Sequence, residues 1–158
     1  GKIAAHLLED RSQDEKALFT HVLTLLKIGD LSELEKWVLE QFVLLPPFEI
    51  EWLDLKQALK SSTGFSKILM GNRNIQGFLD ALGSLTKKGW LSRDKATYKF
   101  HGVLQEATHY FFRFEIEQKW DVLTRVVLKL QKIYLEQKRF SEAHQIEKYL
   151  KIVMIRYE

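Results

Sequence analysis

Cysteine is absent from the 158 residues, proline occurs only as the pair Pro46-Pro47, and no apolar run approaches the roughly 18 residues of a membrane-spanning helix. The first absence excludes a disulfide framework and any thiolate metal site, and it suits a reducing compartment, so a cytoplasmic location and no membrane partner are expected. The opening Gly1-Lys2-Ile3 lacks both a Met and a basic-then-apolar leader, which reads as a piece of a longer chain. Phosphate loops are missing as well. Gly64 to Gly71 and Gly83 to Gly89 lack the Gly-Lys-Ser/Thr ending that sets backbone N–H groups and a lysine against phosphate oxygens. The histidines stand at 6, 21, 101, 109 and 144, with no His-Glu-x-x-His pair, so no metal site is expected. No serine sits in a glycine-flanked elbow, and no catalytic residue is assigned; an enzyme is disfavoured.

Charge of one sign is also scarce overall, at a net +3, but it is unevenly placed. Residues 1–60 carry a net −4 and residues 61–158 a net +7. Solvated helix faces account for most of those Lys and Arg side chains, and the polarity would orient a charged partner. With 46% hydrophobic residues the chain has the apolar content of a folded globule.

What is present is mostly helical period. Residues 3–9 and Ala17 to Ile28 read as helices, the second stopped at Gly29. Ser32 and Glu35 have capping-box spacing ahead of Leu34, Trp37, Val38, Phe42 and Leu45, a helix that Pro46-Pro47 would end. Glu51–Lys60 and Asn74–Lys88 read as two more helices, with Gly89 fit for a left-handed exit. Residues 90–93 and 97–100 then flank Asp94-Lys95-Ala96 as a hairpin. Val103 to Phe114 reads as one helix. The remainder is a helical hairpin turning at 137–140, with Ser141 as the cap of its second helix. The expected fold is therefore mainly α: a winged helix-turn-helix with a small β-hairpin wing, flanked by an N-terminal helix and a C-terminal helical hairpin. Three short amphipathic helices cannot cover their own apolar stripes, and the wing closes one open side.

A winged helix raises DNA binding as the alternative function, a transcription regulator whose third helix enters the major groove. The residues available to it are Asn74, Gln76, Lys87 and Lys88 on that helix, with Arg93 and Lys95 on the wing. Both lysines lie at the helix end and Asp80 would approach phosphates, so nucleic acid is the disfavoured partner.

The ordered set Leu34-Glu35-Lys36-Trp37-Val38-Leu39, Gln41-Phe42, Leu44-Leu45-Pro46, Leu85, Lys88-Gly89-Trp90-Leu91, Phe100-His101 and Gln105-Glu106 resembles one family segment. It is the winged-helix region of bacterial signal-transduction NTPases of the STAND or NB-ARC type, those with C-terminal tetratricopeptide repeats. The resemblance spans about Leu31 to Ala107 and divides the chain into linker helices over 1–29, a winged-helix domain over 30–115, and a helical hairpin over 116–158 that begins a repeat array. It implies a non-catalytic regulatory segment coupling the nucleotide state of an ATPase core to a repeat sensor. ATP or ADP would be bound by the parent protein and no cofactor by these residues. The partners implied are the ATPase module and repeat array of the same chain, with homo-oligomer formation on activation. One residue carries over: His101 matches the histidine that contacts ADP phosphates in the resting state. Many relatives have proline after that histidine and methionine before it, where this chain has Gly102 and Phe100.

Overall fold

The capping box predicted at Ser32 is formed and fixes where the second helix begins. In the computed structural model, which describes residues 13–25, 28–60 and 74–158, the Ser32 hydroxyl accepts from the Glu35 N–H at 3.1 Å, and the Glu35 carboxylate accepts from the Ser32 N–H at 3.0 Å. The helix expected over residues 3–9 lies outside the described residues, as does the segment 61–73. Helix α1 runs Gln13–Leu25, earlier than the expected Ala17 to Ile28, and a 3-10 turn Ile28–Asp30 follows. Helix α2 is Glu33–Gln41. It stops short of the proline pair, because the Phe42 and Val43 N–H groups close tighter turns onto Leu39 and Glu40.

Strand β1 (Ile50–Glu51) leads directly into α3 (Trp52–Leu59), and α4 is Asn74–Lys87. Gly89 at φ 89 makes the predicted exit: its own N–H bonds Thr86 and the Trp90 N–H bonds Leu85, which satisfies two end carbonyls. Strands β2 (Leu91–Asp94) and β3 (Thr97–Phe100) form the predicted hairpin. The sheet has a third strand that the periodicity did not give. β1 pairs antiparallel with β3, Ile50 opposite Tyr98 and Glu51 opposite Thr97, so the order is β1-β3-β2. The molecule is thus mainly helical with a small antiparallel sheet.

The single helix expected from Val103 to Phe114 is two: α5 (Gly102–Phe111) and α6 (Arg113–Gln118), broken at Phe112, which leaves helical geometry at φ −117. The break lets Ile116 reach the core while Phe111 and Phe114 stay outside it. The helical hairpin is α7 (Trp120–Glu136) and α8 (Phe140–Arg156). Ser141 is not its cap: Arg139 occupies that position with no side-chain cap, and Ser141 lies inside the first turn.

In packing, α2 lies on α4, β2 on α4, α1 on α5, and α3 on α7, which also pairs with α8. Phe42, Phe78, Trp90 and Phe100 fill the centre, and Tyr134 carries the same core into the hairpin. No helix among the described residues is long and apolar enough to cross a membrane.

Candidate functional site

Helix α5 sets His101, Gln105 and His109 at successive turns, four residues apart, so they form one stripe along its surface. His101 is the N-cap and is exposed; its Nδ1 accepts from the Val103 N–H at 3.3 Å. An accepting Nδ1 carries no hydrogen, so the neutral ring bears it on Nε2, the nitrogen away from the cap. The imidazole therefore offers a donor beside a helix N-terminus, where partial positive charge collects. His101 has extended backbone at φ −62 and ψ 137. That geometry suits a following proline, so the Gly102 departure changes nothing in the local path.

One turn on, Gln105 is buried and its Nε2 donates to Phe42 O, Val43 O and Leu45 O at 3.0, 2.9 and 2.5 Å. These are carbonyls at and beyond the early end of α2, and Phe42 O also accepts the Leu45 N–H at 3.2 Å. His109, 1% exposed, completes the job: its Nε2–H donates to Val43 O at 2.9 Å while Nδ1 accepts from the Tyr157 hydroxyl at 2.7 Å. Burial pushes its pKa down from 6.5 to about 4, with the Arg156 and Arg113 cations in the same direction and Glu106 opposing. His109 is thus a neutral structural strut. Its helical alignment with His101 was visible in the sequence, whereas the carbonyls it serves were not.

The residues offered for DNA contact are dispersed. Asn74 opens α4, and Gln76 is exposed with its amide donating to Asp80 at 2.8 Å. Lys87 is exposed at the helix end. Lys88 turns back to Glu35 at 2.9 Å and also donates to Asp30 O at 3.1 Å. Glu35 collects Ser32, Ser84 and Lys88 around one carboxylate; burial opposes its ionisation, and these hydrogen bonds overcome that and hold its pKa at about 2. On the wing, Arg93 donates to Lys95 O at 2.6 Å and lies over the Tyr98 ring, and Lys95 takes the left-handed turn position at φ 55. Only Lys87 and Lys95 of the predicted cations have neither an ion pair nor a side-chain hydrogen bond among the described residues.

A second set of polar groups ties the helical hairpin to the rest. Asp54 on α3 is 7% exposed and receives Gln137 Nε2 at 3.0 Å and Arg139 at 3.1 Å from the α7–α8 turn. The Arg139 guanidinium also stacks 4.2 Å from the Tyr134 ring centre. At the other end Arg156 meets Glu106 of α5 at 2.6 Å, and Arg113 donates to the Arg156 carbonyl while covering Tyr157. Lys119 reaches Glu40 of α2 at 2.8 Å. That last pair spans the rim of a cleft of about 260 Å³ walled by Leu39, Val43, Trp90, Ile116 and Leu123. Among the described residues no group of three His, Asp or Glu could hold a metal ion. Comparison with family models, with curated proteins and with solved structures gives no match.

Proposed function

We propose that this chain is a non-catalytic relay: a winged helix-turn-helix body fused to the first helical hairpin of a repeat sensor, in a signalling NTPase whose ATPase core binds ATP or ADP. One observation carries the reading. The α7–α8 hairpin is pinned to the body at both of its ends, by Asp54 with Gln137 and Arg139 and by Glu106 with Arg156. A hairpin held this way would couple its own displacement to the helix bearing His101, the coupling on which a two-state switch in the parent protein would depend. Among the described residues, the helix-strand-helix-helix-strand-strand order from α2 to β3 supports the winged-helix assignment. His101, with its outward Nε2–H at the α5 N-terminus, is the proposed contact to ADP phosphate in the parent protein.

The DNA-binding alternative is weakened by the arrangement of its own cations, since Lys88 and Arg93 are engaged with the protein. Duplex titration at two salt concentrations tests it. Expected is no affinity that falls steeply as salt rises; micromolar binding that does so, and that is lost on Lys87→Ala with Lys95→Ala, would replace the relay by a transcription regulator. Adjoining gene sequence tests the relay itself, which requires a phosphate loop ahead of these residues and helical repeats after them.

A further inference from the structure

Helix α7 buries one face, through Leu123, Val126, Val127, Leu130, Ile133 and Tyr134, against α3 and α8. The opposite face is uncovered and has its own pattern. Leu128 and Leu135 lie two turns apart there, 52% and 46% exposed, and Arg125 and Lys132 precede each by three residues. Lys129, half-buried, stands one turn from both Arg125 and Lys132 on the flank of that face. None of the three cations meets a carboxylate among the described residues, and the acidic residues of the helix, Asp121 and Glu136, stand at its ends. Leu128 and Leu135 are thus one heptad apart, with Asp121 one heptad before them and Arg125 and Lys132 at the intervening positions.

We infer that the outward face of α7 docks an acidic amphipathic helix of a partner protein, with Leu128 and Leu135 as anchors and Arg125, Lys129 and Lys132 selecting its charge. Apolar anchors at a seven-residue interval are the spacing of helix-on-helix recognition. Charge decides among occupants. A second copy would set the Arg125, Lys129 and Lys132 cations of each chain against one another, with only Asp121 and Glu136 at the helix ends to offset them, a net repulsive pairing. A lipid surface needs a broad apolar strip, whereas here Lys132 sits between the two leucines. A helix with apolar residues on the seam and Glu or Asp beside them satisfies both features. This inference is independent of the relay function.

The test uses the full chain and two synthetic helical peptides of about three heptads, with leucine on the seam and either glutamate or lysine at the flanking positions. Micromolar binding of the glutamate peptide alone is expected, weakening as salt rises. Leu128→Ser with Leu135→Ser should lower that affinity at least about tenfold. Arg125→Glu with Lys132→Glu should lower it similarly and create binding to the lysine peptide. All four positions are exposed, and circular dichroism confirms that the variants remain folded. No binding of the glutamate peptide, or equal binding of both peptides, overturns the inference. So does binding to phosphatidylserine vesicles in place of the peptide, or self-association of the chain that needs the same leucines.

Discussion

His109 shows how one buried side chain sets a pH limit on the whole fold. Its ring is neutral, giving Nε2–H to Val43 O and taking the Tyr157 hydroxyl proton at Nδ1. A proton added at Nδ1 would put a charge in a buried site, turn the Tyr157 hydroxyl from donor to acceptor, and lie near the Arg113 and Arg156 cations. Free in the unfolded chain the imidazole titrates near 6.5; in the fold it titrates near 4. Between those values the unfolded chain binds more protons, so stability rises with pH across the window. The contribution is complete above about 6.5 and is lost on acidification toward about 4, where about 3 kcal/mol has gone. Urea unfolding should therefore show about 2 kcal/mol less stability at pH 5 than at neutrality. His109→Gln should flatten that slope, whatever its effect at neutral pH, and an unchanged slope would locate the proton elsewhere. Glu35, depressed to about 2, adds its own acid sensitivity below the unfolded carboxylate value of 4.5, overlapping only the acid end of this window.

At the level of elements, two helix ends use one geometry with different residues. After α4, Gly89 takes the left-handed position and its N–H and that of Trp90 close back onto Thr86 and Leu85. After α7 the same double closure is made by Lys138 at φ 60 and Arg139, onto Leu135 and Tyr134. A lysine there bears the left-handed strain that glycine escapes, about 1 kcal/mol. Lys138→Gly should accordingly stabilise the chain by up to about 1 kcal/mol, and Gly89→Ala should destabilise it by a similar amount, both read from denaturant midpoints. These two ends also show what was legible in the sequence. Gly89, the Ser32–Glu35 box and the Asp94-Lys95-Ala96 turn are local signals, and each placed an element boundary to within a residue or two. Strand β1 left no such signal: two residues have no period, and they become a strand only because Thr97 and Tyr98 arrive beside them. The interruption at Phe112 was likewise hidden, since an apolar run keeps helical spacing on both sides of it.

For the molecule as a whole, the question is whether the body and the hairpin are one mechanical unit, and the long-range polar contacts define how it can be tested. Gln105 and His109 could not be assigned from sequence because the carbonyls they bind exist only where α2 unwinds, more than sixty residues away along the chain. Asp54 and Arg139 are separated still further, at 85 residues, and nothing local to either predicts the pair. Burial makes that contact asymmetric. Removing Arg139 leaves the Asp54 carboxylate enclosed with Gln137 alone, whereas replacing both charges by apolar groups of similar volume frees only the exposed Gln137 amide and the half-exposed Glu142 carboxylate, which water can serve. Arg139→Ala should therefore cost about 2 kcal/mol, the partial exposure of the arginine keeping it below the cost of a fully buried pair. Asp54→Leu combined with Arg139→Met should recover most of the loss. Hydrogen exchange supplies the mechanical reading. In the parent chain the slowest amides of α2, α4 and α7 should exchange with one common free energy, and Arg139→Ala should lower all three together. If α7 and α8 instead opened at lower free energy while α2 and α4 kept theirs, the hairpin would be an independent unit. A displacement of it would then be absorbed at its Asp54 and Glu106 contacts before reaching His101.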